Sequence, residues 1–148
     1  MVTASLLDVN VLVALAWPAH EWHDPVRRWF ARNSRRGWAT CPFTQAALIR
    51  ILSNPSFSPD AVTPREAVDL LAQNLKHPFH RFWPDELSFP EAVEPFRDRL
   101  VGHQQITDAY LLGLAIRKGG RLATLDRAVL WLLPKEAPEA AHVEIIPG

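Results

Sequence analysis

From Ala4 to Ala16 the chain is apolar except at Ser5, Asp8 and Asn10, and Asp8 is the only acid in that run. A carboxylate in such surroundings loses its hydration and must be paired, hydrogen-bonded or bound to an ion. The run divides at that acid. Ala4–Leu7 reads as a strand, and Val9–Ala16 is too apolar for a surface helix and reads as a buried one. A strand that ends on an acid and feeds straight into a buried helix is an α/β beginning. In such folds chemistry gathers outside the carboxyl ends of the strands.

The rest of the chain alternates in the same way. Trp22, Val26, Trp29 and Phe30 recur at helical spacing between Glu21 and about Ser34, with Arg28, Arg32 and Arg35 on the other face and Gly37 as the stop. Trp38–Thr40 reads as a short strand and Phe43–Leu52 as a helix ending before Asn54-Pro55. Thr63-Pro64-Arg65-Glu66 supplies a cap, a proline at the first helical position and a glutamate two further on, opening a helix to about Leu75. Phe79–Trp83 reads as a strand, and Ser88–Leu100 as a helix that Pro95 kinks. Thr107–Lys118 is a helix closed by Gly119-Gly120. Arg121–Thr124 is a strand, Asp126–Leu133 a short helix and His142–Ile146 a last strand. Strands alternating with helices predict an α/β domain with a parallel sheet covered on both faces.

The 148 residues suit one domain, 1–148. Hydrophobic residues at 48% and charged residues at 22% exclude disorder as the main state. Sixteen lysines and arginines balance 16 aspartates and glutamates, so nucleic-acid binding must come from a local patch rather than a basic coat. Cys41 is the only cysteine, which excludes an internal disulfide and a thiolate zinc site; it reads as a buried small apolar residue. The absence of a long apolar run, and of a basic leader in Met1–Ser5, predicts a cytoplasmic protein with no membrane segment. Neither a phosphate-binding glycine loop followed by Lys-Ser or Lys-Thr nor a Gly-x-Ser-x-Gly elbow occurs.

Attention therefore falls on three acids. Asp8 ends the first strand, Asp126 follows the Arg121–Thr124 strand, and Asp108 lies in the first turn of the helix after Gln105-Ile106. If the central strands are neighbours, all three meet at one edge, where they repel and raise one another's pKa. A hard divalent cation relieves such repulsion; Mg²⁺ is expected, with Mn²⁺ as the alternative. Plainer roles stand beside this one. Asp126 also suits a helix cap, Asp108 a favourable place on a helix dipole, and Asn10 a ligand, a support for Asp8 or a cap.

Three segments in order, Leu6-Leu7-Asp8-Val9-Asn10-Val11-Leu12, Gln105-Ile106-Thr107-Asp108-Ala109-Tyr110-Leu111 and Leu122-Ala123-Thr124-Leu125-Asp126, resemble the PIN-domain family. With Thr44-Gln45 through Asn54-Pro55 and Phe82-Trp83-Pro84-Asp85, the branch resembled is the mycobacterial type of VapC ribonuclease toxin. The resemblance implies a three-layer α/β/α domain with a five-stranded, mainly parallel sheet. It implies a Mg²⁺-dependent endoribonuclease, the toxin of a type II toxin–antitoxin module. Asp8 and Asp108 would be the metal ligands, Asp126 the third catalytic acid, and Asn10 and Thr124 hydrogen-bonding supports. The expected partners are a cognate antitoxin that covers the pocket, an RNA substrate and a second copy in a homodimer.

The chain departs from that pattern at one place. A further acid of the family falls at Ala47, and the helix Phe43–Leu52 contains none. Asp85 and Glu86 are candidate substitutes, though they equally suit a turn or cap. This leaves two other readings: a catalytically weak PIN-like module that binds RNA or protein, and an unrelated α/β metal-dependent phosphohydrolase. The aspartyl-nucleophile form of the latter needs a second aspartate where this chain has Asn10.

Basic side chains form two groups, Arg27, Arg28, Arg32, Arg35 and Arg36, then Arg117, Lys118 and Arg121. Arg28, Arg32, Arg35, Arg117 and Lys118 are candidate RNA-phosphate contacts or solvated helix faces. Arg50, among Leu48, Ile49, Ile51 and Leu52, is expected to pair with a buried acid or carbonyl. His20 and His23 read as structural, and His103 is a candidate substrate contact. Trp22 and Trp29 are expected in the core, with part of that apolar surface open to a dimer or antitoxin interface.

Overall fold

In the first strand, β1 (Ser5–Leu7), Leu6 and Leu7 are both 0% exposed although adjacent side chains on a strand point to opposite faces. A strand buried on both faces needs a layer on each side, and the computed structural model, which describes residues 4–146, has that form. Met1–Thr3, on which the expectation of no leader partly rests, and Pro147–Gly148 lie outside the described residues.

Strands β1, β2 (Trp38–Thr40), β3 (His80–Phe82), β4 (Arg121–Thr124) and β5 (Val143–Ile145) form one sheet in the order β3-β2-β1-β4-β5. Every pairing is parallel, so the expectation of a mainly parallel sheet is met in full. One face is covered by α1 (Val9–Ala16), α2 (His23–Asn33), α3 (Pro42–Leu52) and α4 (Pro64–Asn74). The other carries α5 (Phe89–Val93) and α6 (Ile106–Arg117). Leu7 packs with the first group and Leu6 with the second, giving three layers, α/β/α.

Local chemistry accounts for the element ends. Pro42 and Pro64 lie in the first turns of α3 and α4, and Thr63 and Glu66 close a reciprocal capping box at 3.1 and 2.9 Å. Gly37 and Gly119 adopt φ of 97° and 67°, which glycine alone adopts without strain, where chain segments turn into β2 and β4. The expected helix Ser88–Leu100 is corrected: α5 ends at Val93 and a 3-10 stretch, Glu94–Arg99, continues. Pro95 has no N–H, and its ring clashes with the carbonyl four residues back, so the α-helical pattern cannot pass through it. The expected helix Asp126–Leu133 is likewise a 3-10 turn, Arg127–Leu132, capped by Asp126.

Two other expectations are corrected. Arg50 is exposed on α3 and makes no ion pair among the described residues. Its neighbours in sequence turn toward the core while it occupies the outer face of the helix. Trp22 precedes α2 and is 37% exposed, whereas Trp29 is 4% exposed, its indole N–H donating to Glu144 at 2.9 Å.

Helix α6 is held against α5 by the absence of a side chain at Gly113, where a Cβ would stand 2.0 Å from the Ala92 carbonyl oxygen. That obstacle is backbone, so it cannot rotate away. Gly113→Ala should therefore lower stability by about 2 kcal/mol, the overpacking cost outweighing the better helix propensity of alanine. Urea denaturation checks it; an unchanged or higher midpoint would show that α5 is free to move.

Candidate active site

Strand order places the crossovers from β1 on one side and those of β4 on the other, so the sheet changes winding direction between β1 and β4. The carboxyl ends of two such strands leave a crevice between their outgoing segments. Asp8 follows β1 and Asp126 follows β4, and Asp108 stands in the first turn of α6.

Asp8 is 4% exposed. Its Oδ1 accepts the Val9 N–H at 2.7 Å, at the start of α1, and its Oδ2 accepts the Thr124 hydroxyl at 2.8 Å. The Thr124 oxygen in turn accepts from the Asn10 side-chain amide at 3.2 Å and from the Asp126 N–H at 3.0 Å. Asn10 reaches across as well, its Oδ1 accepting the Leu125 N–H at 3.2 Å. One buried hydroxyl thus ties the ends of β1 and β4 together. Asp126 is exposed and caps its own turn, accepting the Ala128 N–H at 2.9 Å.

Electrostatics follows from this packing. Burial pushes the Asp8 carboxyl above the ordinary range; the hydrogen bonds from Thr124 and Val9 hold it down, and the Asp126 charge adds to the rise. Asp108 is pushed up to about 7, first by burial and then by the charges of Asp8 and Asp126. The three acids therefore lie within range of one another's fields.

All the donors are oxygens of hard carboxylates, and the strain in the site is unbalanced negative charge; both features fit Mg²⁺ or Mn²⁺. Among the described residues no three acidic, imidazole or thiol side chains converge closely enough to hold an ion as they stand. The set fits by donor type and charge, and the carboxylates would have to close on the ion.

The other candidates fall elsewhere. Glu86 pairs with Lys118 at 2.5 Å, and Lys118 caps the end of α6 opposite Asp108. A separation of ten positions spans about 15 Å of helix axis, too far for Glu86 to stand in for the acid absent at Ala47. Asp85 is exposed and acts on the Tyr110 phenol, whose O–H donates to the Leu87 carbonyl at 3.1 Å. Ala47 is half-buried on α3. Arg117 stands 4.0 Å from Glu91, and Arg117 and Lys118 precede β4, at the amino edge of the sheet. Arg28, Arg32 and Arg35 are exposed, but the end of α2 leads into the amino end of β2. The expected arginine rim is thus brought to the edge opposite the acids, because helices that cross over must return to where the next strand starts. His20 Nδ1 accepts the Trp22 N–H at 3.0 Å, and His23 bonds the Ala14 carbonyl at 2.7 Å; both serve local structure. His103 is exposed in the 3-10 turn His103–Gln105 before α6.

Beside Asp108 and Asp126 the structure adds Gln104, Ala128 and Trp131, which line a cleft of about 130 Å³. None of these was singled out from sequence. Trp131 lies in an apolar stretch, Val129-Leu130-Trp131-Leu132-Leu133, of the expected helix Asp126–Leu133.

A parallel α/β domain places its ligand site at the switch point, where these acids lie. Residues 5–130 match the PIN domain. The chain belongs to the PIN-domain family. It is 44% identical over 142 residues to ribonuclease VapC39 of Mycobacterium tuberculosis, covering 96% of this chain and 99% of that one. It is 44% identical over 128 residues to ribonuclease VapC38 of the same organism, covering 86% and 89%. The crystal structure of M. tuberculosis VapC20, described as a sarcin-ricin loop cleaving toxin, shares the fold with a TM-score of 0.61 at 17% identity, covering 97% of this chain and all of that one.

Two outcomes test the site. Thr124→Val keeps the shape but removes the donor to Asp8, so stability should fall by about 2 kcal/mol at neutral pH, with Thr124→Ser restoring most of it. Chemical denaturation of the three proteins measures this. The second concerns Asp108. With chelator present, the folded chain keeps a proton there between about pH 4 and pH 7 that the unfolded chain has lost, so its ionisation works against folding as pH rises through that window. Asp108→Asn should denature later than wild type at about pH 8, and the advantage should vanish near about pH 4. Equal midpoints at both values would mean that Asp108 is not strained by its neighbours.

Proposed function

We propose that this chain is a divalent-metal-dependent endoribonuclease and the toxin of a toxin–antitoxin pair. The observation that supports the reading is Asp8, buried at the switch point and bonded to the Thr124 hydroxyl, which also accepts the Asp126 N–H, with Asp108 close enough to feel the charges of both acids. It is supported by relatives named as ribonucleases at 44% identity over most of the chain.

Asp8 and Asp108 are the residues to hold Mg²⁺ or Mn²⁺, with Asp126 as the third acid. When bound, such an ion lowers the pKa of a water and neutralises charge on a phosphoryl group. The chain itself contributes placement. Thr124 and the Val9 N–H fix both oxygens of Asp8, so its carboxylate is held in one orientation before any ligand arrives. Asn10 holds the segment after β4, which carries Asp126. Asp108 is presented by the first turn of α6. Asn10 bonds Thr124 and Leu125 and carries no carboxylate, which disfavours the aspartyl-nucleophile phosphohydrolase, where that position must be an acid that acts on substrate.

The partners of this reading are an RNA substrate, a cognate antitoxin that covers the acidic cleft, and a second copy of the chain. No helix among the described residues is long and apolar enough to cross a membrane, and the cytoplasm is the assigned place of action. The absence of an acid at Ala47 favours the second reading, a weak or inactive binding module, and one experiment separates the two.

Purified chain should cleave single-stranded RNA with Mg²⁺ or Mn²⁺ and lose that activity in chelator. Asp8→Asn and Asp108→Asn should each lower the rate at least about 100-fold, with circular dichroism unchanged. RNA binding without metal-dependent cleavage would select the binding module.

A further inference from the structure

The 3-10 turn Arg127–Leu132 is anchored by Val129 and Leu132, each 1% exposed, and this anchoring turns Trp131 outward. Its ring is 72% exposed, against 4% for Trp29 and 7% for Trp83. An indole left in water forgoes a large gain from burial, so its placement asks for a ligand that covers it. It is also the aromatic ring that shares a cleft with Asp108 and Asp126.

The groups around it have the chemistry of a nucleotide site. Gln105 is occupied within its own loop, its Oε1 accepting the Val101 and Gly102 N–H groups and its Nε2 donating to the Arg99 carbonyl. Gln104 lines the cleft, is exposed, and leaves a donor and an acceptor uncommitted. Arg127, next to Asp126, is exposed, and no carboxylate among the described residues pairs with it. A flat apolar face and an amide thus line the acidic cleft, and an exposed guanidinium is carried by the residue next to Asp126.

We infer that Trp131 is a stacking platform for one unpaired base of a single-stranded RNA whose backbone passes Asp108 and Asp126. Arg127 contacts a neighbouring phosphate, and the Gln104 amide meets the edge of the stacked base. Every base has a π-face that can cover an indole, whereas a duplex keeps its bases stacked on one another. The platform therefore selects unpaired RNA. It is a positioning residue, which sets where along a strand the scissile phosphate falls. The inference rests on the ribonuclease reading of the same cleft.

The test uses the full chain and a fluorescein-labelled single-stranded RNA of about 12 nucleotides that the wild type cleaves. Binding is read by anisotropy in chelator, and cleavage by single-turnover kinetics in Mg²⁺. Trp131→Ala should weaken binding about tenfold, and Trp131→Phe should restore it to within about threefold of wild type. The loss should appear in the half-saturating RNA concentration, with the rate at saturation changed less than about twofold. Abasic positions scanned along the strand should show one place where wild type loses affinity and Trp131→Ala loses none. The thermal midpoint should not move, since the ring is outside the core.

Unchanged binding by Trp131→Ala, with RNA still cleaved, overturns the platform alone and leaves the ring to a protein partner. Failure of phenylalanine to rescue, or an equal loss on duplex RNA, overturns it as well. A wild type that neither binds nor cleaves any RNA overturns the platform together with the ribonuclease reading.

Discussion

The hydrogen bond from the Thr124 hydroxyl to Asp8 is the contact on which the rest of the site depends. A carboxylate 4% exposed at the end of the central strand is costly unless its oxygens are satisfied. Thr124 supplies one partner and the first N–H of α1 another. Because the same hydroxyl accepts from Asn10 and Asp126, the four residues form one network joining β1 to β4. The acid is thereby held in place, and the two strands are held at the register in which their outgoing segments bound a crevice.

The network explains the division of labour among the acids. Asp8 is buried and fixed, Asp126 is exposed and caps its own turn, and Asp108 comes from a helix on the opposite face of the sheet. Among the described residues none is paired with a base. Burial first, and then the charges of Asp8 and Asp126, raise the Asp108 carboxyl to about 7.

Charge elsewhere is arranged by topology. The helices that return the chain to the amino edge of the sheet end in basic side chains, Arg32 on α2 and Arg117 on α6. Those ends are favourable for cations on helix-dipole grounds, and the same geometry carries them away from the acids. The side chains that do flank the acidic cleft, Trp131 and Gln104, come from short turns after β4 and before α6. Loops at the carboxyl edge are where such a fold changes substrate without changing its core.

Much of this protein was legible in its sequence because it is local. Strand β4 matches its expected bounds, the capping box opening α4 is present, and the alternation of strand and helix required a parallel sheet. Asp8 was conspicuous because an acid between apolar runs has few cheap alternatives. What the sequence could not determine depends on distances along helices and on which face a turn presents. Glu86 is near β3 in the chain, yet the fold carries it to the far end of α6 from Asp108. Arg50 sits among aliphatic residues, yet it occupies the outer face of α3. Trp131 lies among apolar residues in the chain, yet it is on the surface because a 3-10 turn buries Val129 and Leu132 instead. Composition and periodicity determine which residues must be covered somewhere. Only the packed structure decides which of them are covered by this chain and which are left for a ligand.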